Sequence, residues 1–499
     1  MWGKRSAIIV ISLILCAFSC ADDLDKQARD ETNKALKEKR IDARGFTELI
    51  GKINNGKAAD VIKELKNNEQ ASKLPIYSDW PRWLGPNRNG SSPEKGLLRE
   101  WPEDGPKLLW MAQITKGWGS VCISKGQVIV SGAGYNVFCL DAFTGKEIWK
   151  YSYKLERKPG PAGWGWCPRD TITATDKYVY HLNEEGQLFC LDRKNGAKIW
   201  MRDIDEEYKP SHYDWKGWCM SPLVEDNILF QAIQWQTGTR DEKARYIGID
   251  AETGKNIWEY WENAGQPRFG GADLSQTPPV VKFGEDKCVI VTANSRLFAL
   301  RLKDGKKVWT QKSGGRAHFQ QHITSPQIIG NNILLSPFTE DMKLYEVNWR
   351  DPSSDGRLIW KYDGATDCST PVFDNGYIYT FNEEKSKLMG PYILRCLEVA
   401  TGKLMWEQKG FEIAESIMLA DGLLFIRSKA GLMLVEANPK KYVLKGKVDQ
   451  DQGNYMGWVM PTLAYGRLFV RMEKTLLCFQ AAKSVPSRHE VFSELENNK

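Results

Sequence analysis

The chain has 499 residues, 42% of them hydrophobic and 26% charged, with a formal net charge of +6. A charge this mild, with no long basic run, excludes nucleic acid as a partner. The composition is globular, with no low-complexity tract. Two residue types stand out, 20 Trp and 43 Gly, and together they point to a unit that reuses one aromatic anchor and one tight turn.

Residues 1–20 read as a targeting signal. Lys4 and Arg5 precede an apolar stretch from Ala7 to Phe18, followed by the small residues Ser19, Cys20 and Ala21. That stretch is shorter than the roughly 20 residues that a spanning helix needs. Two processing routes stay open. Ala17-Phe18-Ser19-Cys20 is a loose lipobox, which would place a diacylglycerol on Cys20; the other route is plain cleavage after Ala21. Either one takes the protein out of the cytoplasm, into the cell envelope (periplasm or outer membrane) or beyond.

Residues 21–75 form a charged spacer. Apolar residues recur there at helical spacing, first Phe46, Leu49, Ile50 and Ile53, then Val61, Ile62 and Leu65, so one or two short amphipathic helices are expected. A polar tail is expected over 484–499.

Between them, residues 76–483 repeat. A Trp closes a strand four residues after a Gly at Trp149, Trp200, Trp258, Trp309 and Trp406, with Trp360 ending a unit that carries an insertion. Cys139-Leu-Asp-Ala-Phe-Thr-Gly-Lys-Glu-Ile-Trp149 is typical. A short apolar strand ends at an acid, Gly supplies positive φ at the turn, and a second strand returns to the Trp. The indole is expected to pack between neighbouring sheets, with its N–H finding a partner. Two further strands lie upstream of each hairpin, one opening with Ser/Thr-Pro, as at Ser221-Pro222 and Thr277-Pro278. Four strands per repeat with no intervening helix make a propeller blade.

The blades number eight. The seventh, Glu415 to Asp449, is worn and has lost its Trp; the eighth has three C-terminal strands. Its fourth is expected from Gly105 to Ala112, with Trp110 in the landmark role, which removes two open sheet edges. Cys139, Cys190, Cys396 and Cys478 share one strand position where other blades have Gly248 or Ala299, so a small buried slot is expected there. The cysteines outside the signal do not form a disulfide framework.

These units resemble the tryptophan-docking repeat of the quinoprotein dehydrogenases and of their non-catalytic relatives, among them the lipoprotein propeller of the outer-membrane β-barrel assembly machinery. The likeness is strongest to secreted bacterial PQQ-binding-like β-propeller repeat proteins, which open with a segment like Asp79-Trp-Pro-Arg-Trp-Leu-Gly-Pro-Asn-Arg-Asn-Gly-Ser91. The resemblance implies an all-β, eight-bladed propeller of the PQQ-repeat type. In the dehydrogenases it also implies PQQ on the axis beside Ca²⁺, an Asp base and an adjacent-Cys disulfide. This chain has no Cys-Cys pair, no CxxCH haem site and no ordered set of Ca²⁺ ligands that matches residue by residue.

The residues that open each blade should ring one mouth of the tunnel. Four blades repeat Gly-Trp there, giving Trp118, Trp166, Trp218 and Trp458, and the polar members of the same rim are Arg169, Asp170, Asp273, His318, His322 and Asp367. The landmark Trp already serves packing, so this second set looks surplus to the fold and is the candidate ligand site; the alternative is that these Trp simply pack beneath the rim loops. No catalytic residue and no metal site is assigned. The leading expectation is a monomeric, exported, lipid-anchored binding or scaffold propeller for a protein or glycan-like ligand. The alternative is a PQQ-dependent or metal-dependent oxidoreductase with an axial pocket.

Overall fold

The computed structural model describes residues 25–32, 34, 49–50, 52–53, 57–73, 77–154, 167–209, 218–233, 243–263, 277–293, 296–312, 324–337, 341–351, 353–366, 369–383, 391–411, 415–429, 431–449 and 459–497. Contacts divide the chain into two units, Met1–Ile76 and Tyr77–Lys499. The first contains the helix Ala58–Lys73, where Val61, Ile62 and Leu65 join Leu49, Ile53 and Ala28 in a small apolar core. The helical periodicity of the spacer is thus explained by burial.

The second unit is an eight-bladed propeller. Blades 1 to 7 run in chain order, starting at Cys122–Ser124, Thr173–Ala174, Leu223–Glu225, Val280–Phe283, Gln327–Ile329, Val372–Asp374 and Ser416–Ala420. Blade 8 combines Thr462–Ala464, Arg467–Arg471 and Thr475–Gln480 with the early strand Leu108–Gln113, in the order Leu108–Gln113, Thr475–Gln480, Arg467–Arg471, Thr462–Ala464. The ring therefore closes by pairing the two ends of the repeat region, with Trp110 opposite Cys478.

The repeated Gly and Trp form one joint. Each landmark indole donates to a carbonyl of the following blade: Trp110 to Ala142, Trp149 to Arg193, Trp200 to Ala251, Trp258 to Leu302, Trp360 to Val399 and Trp406 to Asn438. The indole also lies on the next blade's turn glycine. At Gly196, φ is +71° and a Cβ would sit 2.5 Å from Trp149 Cε3. Within its own blade each Trp faces the small slot across the strand pair: Cys139 opposite Trp149, Cys190 opposite Trp200, Gly248 opposite Trp258 and Cys396 opposite Trp406. Those cysteines are buried, and burial pushes the Cys139, Cys190 and Cys396 thiols up to about 12. They fill space and stay protonated. No disulfide occurs among the described cysteines.

The hydroxyl residues that open the blades, some of them followed by Pro, build a second joint near the axis. Met460 N donates to Ser120 Oγ, Ser120 N to Thr171 Oγ1, Thr171 N to Ser221 Oγ and Ser221 N to Thr277 Oγ1, at 2.8–3.1 Å. Ser325 Oγ then donates to Thr277 O at 2.7 Å. Each hydroxyl satisfies backbone on its neighbour, so blades 8, 1, 2, 3, 4 and 5 are linked in series.

The segment before the repeats enters the ring. Trp80 bridges Ile123 of blade 1, and Ser91–Ser92 add a fifth, parallel strand inside blade 7. Between them, Trp83 Nε1 donates to Ser325 Oγ of blade 5 at 3.1 Å. Arg88 donates to Val224 O and pairs with Glu225 of blade 3 at 3.0 Å. Gly90 packs against Val372 of blade 6. One short segment therefore touches at least five blades and enters the axial space, reaching through Trp83 the opening residue of blade 5.

The C-terminus differs from the polar tail expected. Arg488–Asn497 is a helix whose Val491 is fully buried, and its Phe492 packs against Phe143 of blade 1 and Tyr465 of blade 8.

Candidate functional site

Of the ten rim residues singled out by sequence, Trp118, Arg169, Asp170 and Trp218 can be placed. Trp166, Asp273, His318, His322, Asp367 and Trp458 lie outside the described residues, as does Cys20.

Trp118 and Arg169 meet. Trp118 N donates to Pro168 O at 2.8 Å, which holds the opening of blade 1 against that of blade 2. The Arg169 guanidinium then sits 4.6 Å from the Trp118 ring centroid, a cation–π contact on a half-buried indole. Arg169 Nη1 also approaches Cys219 Sγ of blade 3 at 3.9 Å.

Trp218 has a different role. It is 4% exposed, and its indole N–H donates to Asp205 Oδ1 at 3.1 Å. Its backbone N donates to Glu184 O, and a Cβ on Gly186 would lie 2.4 Å from its Nε1. The ring is clamped between the turn of blade 2 and the short helix Ile204–Tyr208, in the core shared with Leu229 and Ile247. The glycines of the first Gly-Trp pair are also used by the fold. A Cβ on Gly117 would meet Arg471 Nη2 at 2.1 Å, and one on Gly119 would meet Asp170 O at 1.8 Å. In these two blades the Gly-Trp set is not surplus: it makes room for a buried arginine and a crossing backbone.

Beneath Arg169 lies a polar group that sequence reasoning did not single out as a unit. His181 is fully buried, with Nδ1 3.0 Å from both Asp170 oxygens and Nε2 3.1 Å from the Tyr153 hydroxyl. Asp170 accepts further from Leu182 N at 3.0 Å and from Ser131 Oγ at 3.3 Å. Glu184, in the turn after His181, is 1% exposed and makes no side-chain hydrogen bond among the described residues. Burial raises its carboxyl to about 7; Asp170 pushes the same way, while His181 and Arg169 oppose. Burial also lifts the Tyr153 hydroxyl well above its ordinary value, and the Cys167 thiol to about 11. The group is a held proton network: an imidazole fixed on both sides, beside a carboxyl that changes charge near neutrality.

Asp170 is thus saturated by His181, Leu182 N and Ser131. The described residues include no group of three or more His, Cys, Asp or Glu that could hold a metal ion. Along the axis, Trp83 donates to Ser325, a member of the ring of opening residues. The described residues therefore do not make a site for PQQ with Ca²⁺.

Comparison with known proteins bears on this geometry. Residues 154–390 match the family described as outer membrane protein assembly factor BamB. The chain is 21% identical over 163 residues to quinohemoprotein alcohol dehydrogenase ADH IIB of Pseudomonas putida, a match covering 33% of this chain and 21% of that protein. It is 22% identical over 395 residues to tetrathionate hydrolase of Acidithiobacillus ferrooxidans, covering 68% and 69% of the two. Among solved structures, the quinohemoprotein alcohol dehydrogenase of Comamonas testosteroni superposes with a TM-score of 0.63 at 13% identity, covering 82% of each chain. The propeller is of the PQQ-repeat type. Its blades 2 to 6 carry most of the family match, and the match spans only about a fifth of the alcohol dehydrogenase. At these identities the solved structure speaks to the fold alone.

Proposed function

We propose that this protein is an exported, lipid-anchored propeller that acts as a binding or scaffold module in the cell envelope. Its ligand is a protein or a glycan-like molecule taken at the mouth ringed by the blade openings. What supports this reading is the Trp83–Ser325 contact: the chain's own segment enters the axis and reaches the opening residue of blade 5, so a ligand is taken at the outer face of the rim. The family match to an outer membrane protein assembly factor supports a protein ligand. The signal-like segment ending at Cys20 supports the anchor, and its test is palmitate labelling, which Cys20→Ala should abolish.

The competing reading is a quinone-dependent oxidoreductase, favoured by the likeness to the quinohemoprotein alcohol dehydrogenase. Reconstitution with PQQ and Ca²⁺ separates the two. The scaffold reading expects no stoichiometric quinone absorbance and no dye reduction; both together would overturn it.

A further inference from the structure

The chain carries four Asn-Gly pairs, at 55–56, 89–90, 195–196 and 375–376, of which the last three lie among the described residues. In such a pair the missing Cβ leaves the glycine nitrogen open to the asparagine amide carbon. Whether the two meet depends on what already holds them.

At two of the pairs the fold holds both groups. Gly90 N donates to Leu84 O at 3.0 Å, and Asn89 Oδ1 accepts from Ser91 N at 3.1 Å and from Ser91 Oγ at 2.6 Å. Gly196 N donates to Asp192 O at 2.8 Å beneath the Trp149 ring, and Asn195 Oδ1 accepts from Ala197 N at 2.9 Å. Asn375-Gly376 is different. It forms the two-residue turn between Val372–Asp374 and Tyr377–Glu383, with φ of +49° and +87°, the positive values that such turns require. Both residues are exposed, and nothing stands within 4 Å of a Cβ at Gly376. Gly376 N and Asn375 Oδ1 make no hydrogen bond among the described residues. The amide's one contact is Nδ2 to Asp374 Oδ2 at 2.7 Å, on the surface.

We propose that Asn375 is a self-modification site, converted to aspartate and isoaspartate by its own backbone. Gly376 N gives up its proton to solvent base and bonds to Asn375 Cγ; the Cγ–Nδ2 bond breaks, and ammonia leaves with a proton from water. Water then opens the cyclic imide, at Cγ to give aspartate or at the backbone carbonyl carbon to give isoaspartate. The product bears on the ring. A new carboxylate stands beside Asp374, and isoaspartate routes the main chain through Cβ, which lengthens the turn. Gly376 O accepts from Val399 N at 2.8 Å, and Val399 O accepts from the Trp360 indole at 2.7 Å, so the longer turn loosens the joint between blades 5 and 6. The assignment does not rest on the binding reading.

The test follows the whole chain at mildly alkaline pH, folded and in urea, by peptide mapping with mass spectrometry. In the folded protein Asn375 should convert about tenfold or more faster than Asn89 and Asn195, because a backbone hydrogen bond must first open at each of those. In urea the three rates should converge. Asn375→Gln, whose longer side chain cyclises far more slowly, should leave its peptide unchanged. A folded-state rate at Asn375 no greater than at the other two would overturn the proposal. So would the same lead kept in urea, which would put the selectivity in the sequence rather than in the turn. Aged wild type should also melt below the fresh protein; equal melting would contradict the loosening of the joint.

Discussion

Trp101 lies over Gly446. In blade 7 the last strand, Leu444–Val448, places Gly446 opposite Leu434, the register position that holds the landmark Trp in the other blades. A Cβ on Gly446 would lie 2.5 Å from the Cβ of Trp101, which is buried against Phe425 and hydrogen-bonds through its backbone N to Lys445 O. The worn blade has not lost its indole; a segment from the other end of the chain supplies it. Trp101→Ala should cost about 3–5 kcal/mol, as for other buried Trp truncations. Gly446→Ala should cost about 1–3 kcal/mol by overpacking. Trp101→Ala keeps the Cβ at 2.5 Å and removes only the ring atoms at 3.0 and 3.2 Å, so the double variant should fall only slightly short of the sum, measured by urea denaturation of all four proteins.

The glycines of the repeat should separate into two classes. Gly196 has positive φ and lies beneath Trp149, whereas Gly376 has φ of +87° with nothing within 4 Å of a Cβ. Gly376→Ala carries only backbone strain, about 1–2 kcal/mol. Gly196→Ala adds an overlap with a flat ring that is itself tied to Arg193 O at 2.9 Å, for a further 1–3 kcal/mol or so. Melting temperatures of the two variants check the order.

Glu184 makes stability depend on pH. Its carboxyl titrates near 7 when folded, above its ordinary value, so between about pH 4.5 and 7 the folded chain holds a proton that the unfolded chain gives up. The stabilisation is complete below the unfolded pKa and is lost as pH rises through the folded one. Glu184→Gln removes that loss. The variant should gain on wild type between pH 5 and pH 8 by something on the order of 3 kcal/mol. Parallel melting curves at the two pH values measure it; curves that keep a constant separation would contradict the assignment.

How much of this was legible in the sequence depends on where each signal is stored. The Gly-to-Trp spacing is local and recurs, so the blade count, the Trp110 closure and the small slot opposite the indole could all be read from it. Trp101 could not, because its partner is marked only by a missing Trp in one blade. The segment from Asp79 to Ser91 was visible as a motif, but its contacts are spread over several blades, and no periodicity announces such a path. His181 sits in an ordinary alternating strand. Only the closed ring, which buries both faces of that strand, brings it to Asp170 and Tyr153. Among the rim residues, Trp118 and Arg169 do come together. Trp218 looked like the same signal and is a packing residue held by Asp205.

The central claim is that the chain's own segment occupies the axial space. Hydrogen exchange followed by mass spectrometry on a peptide covering residues 79–92 tests it most directly. Trp80 N is bonded to Ile123 O, Gly90 N to Leu84 O, and Ser91–Ser92 pair with Leu419 and Ala420. The account predicts protection close to that of the inner strands of blades 1 and 7, in the intact protein and without ligand. Exchange as fast as in an unstructured peptide would contradict it, and would reopen the axis as a binding site.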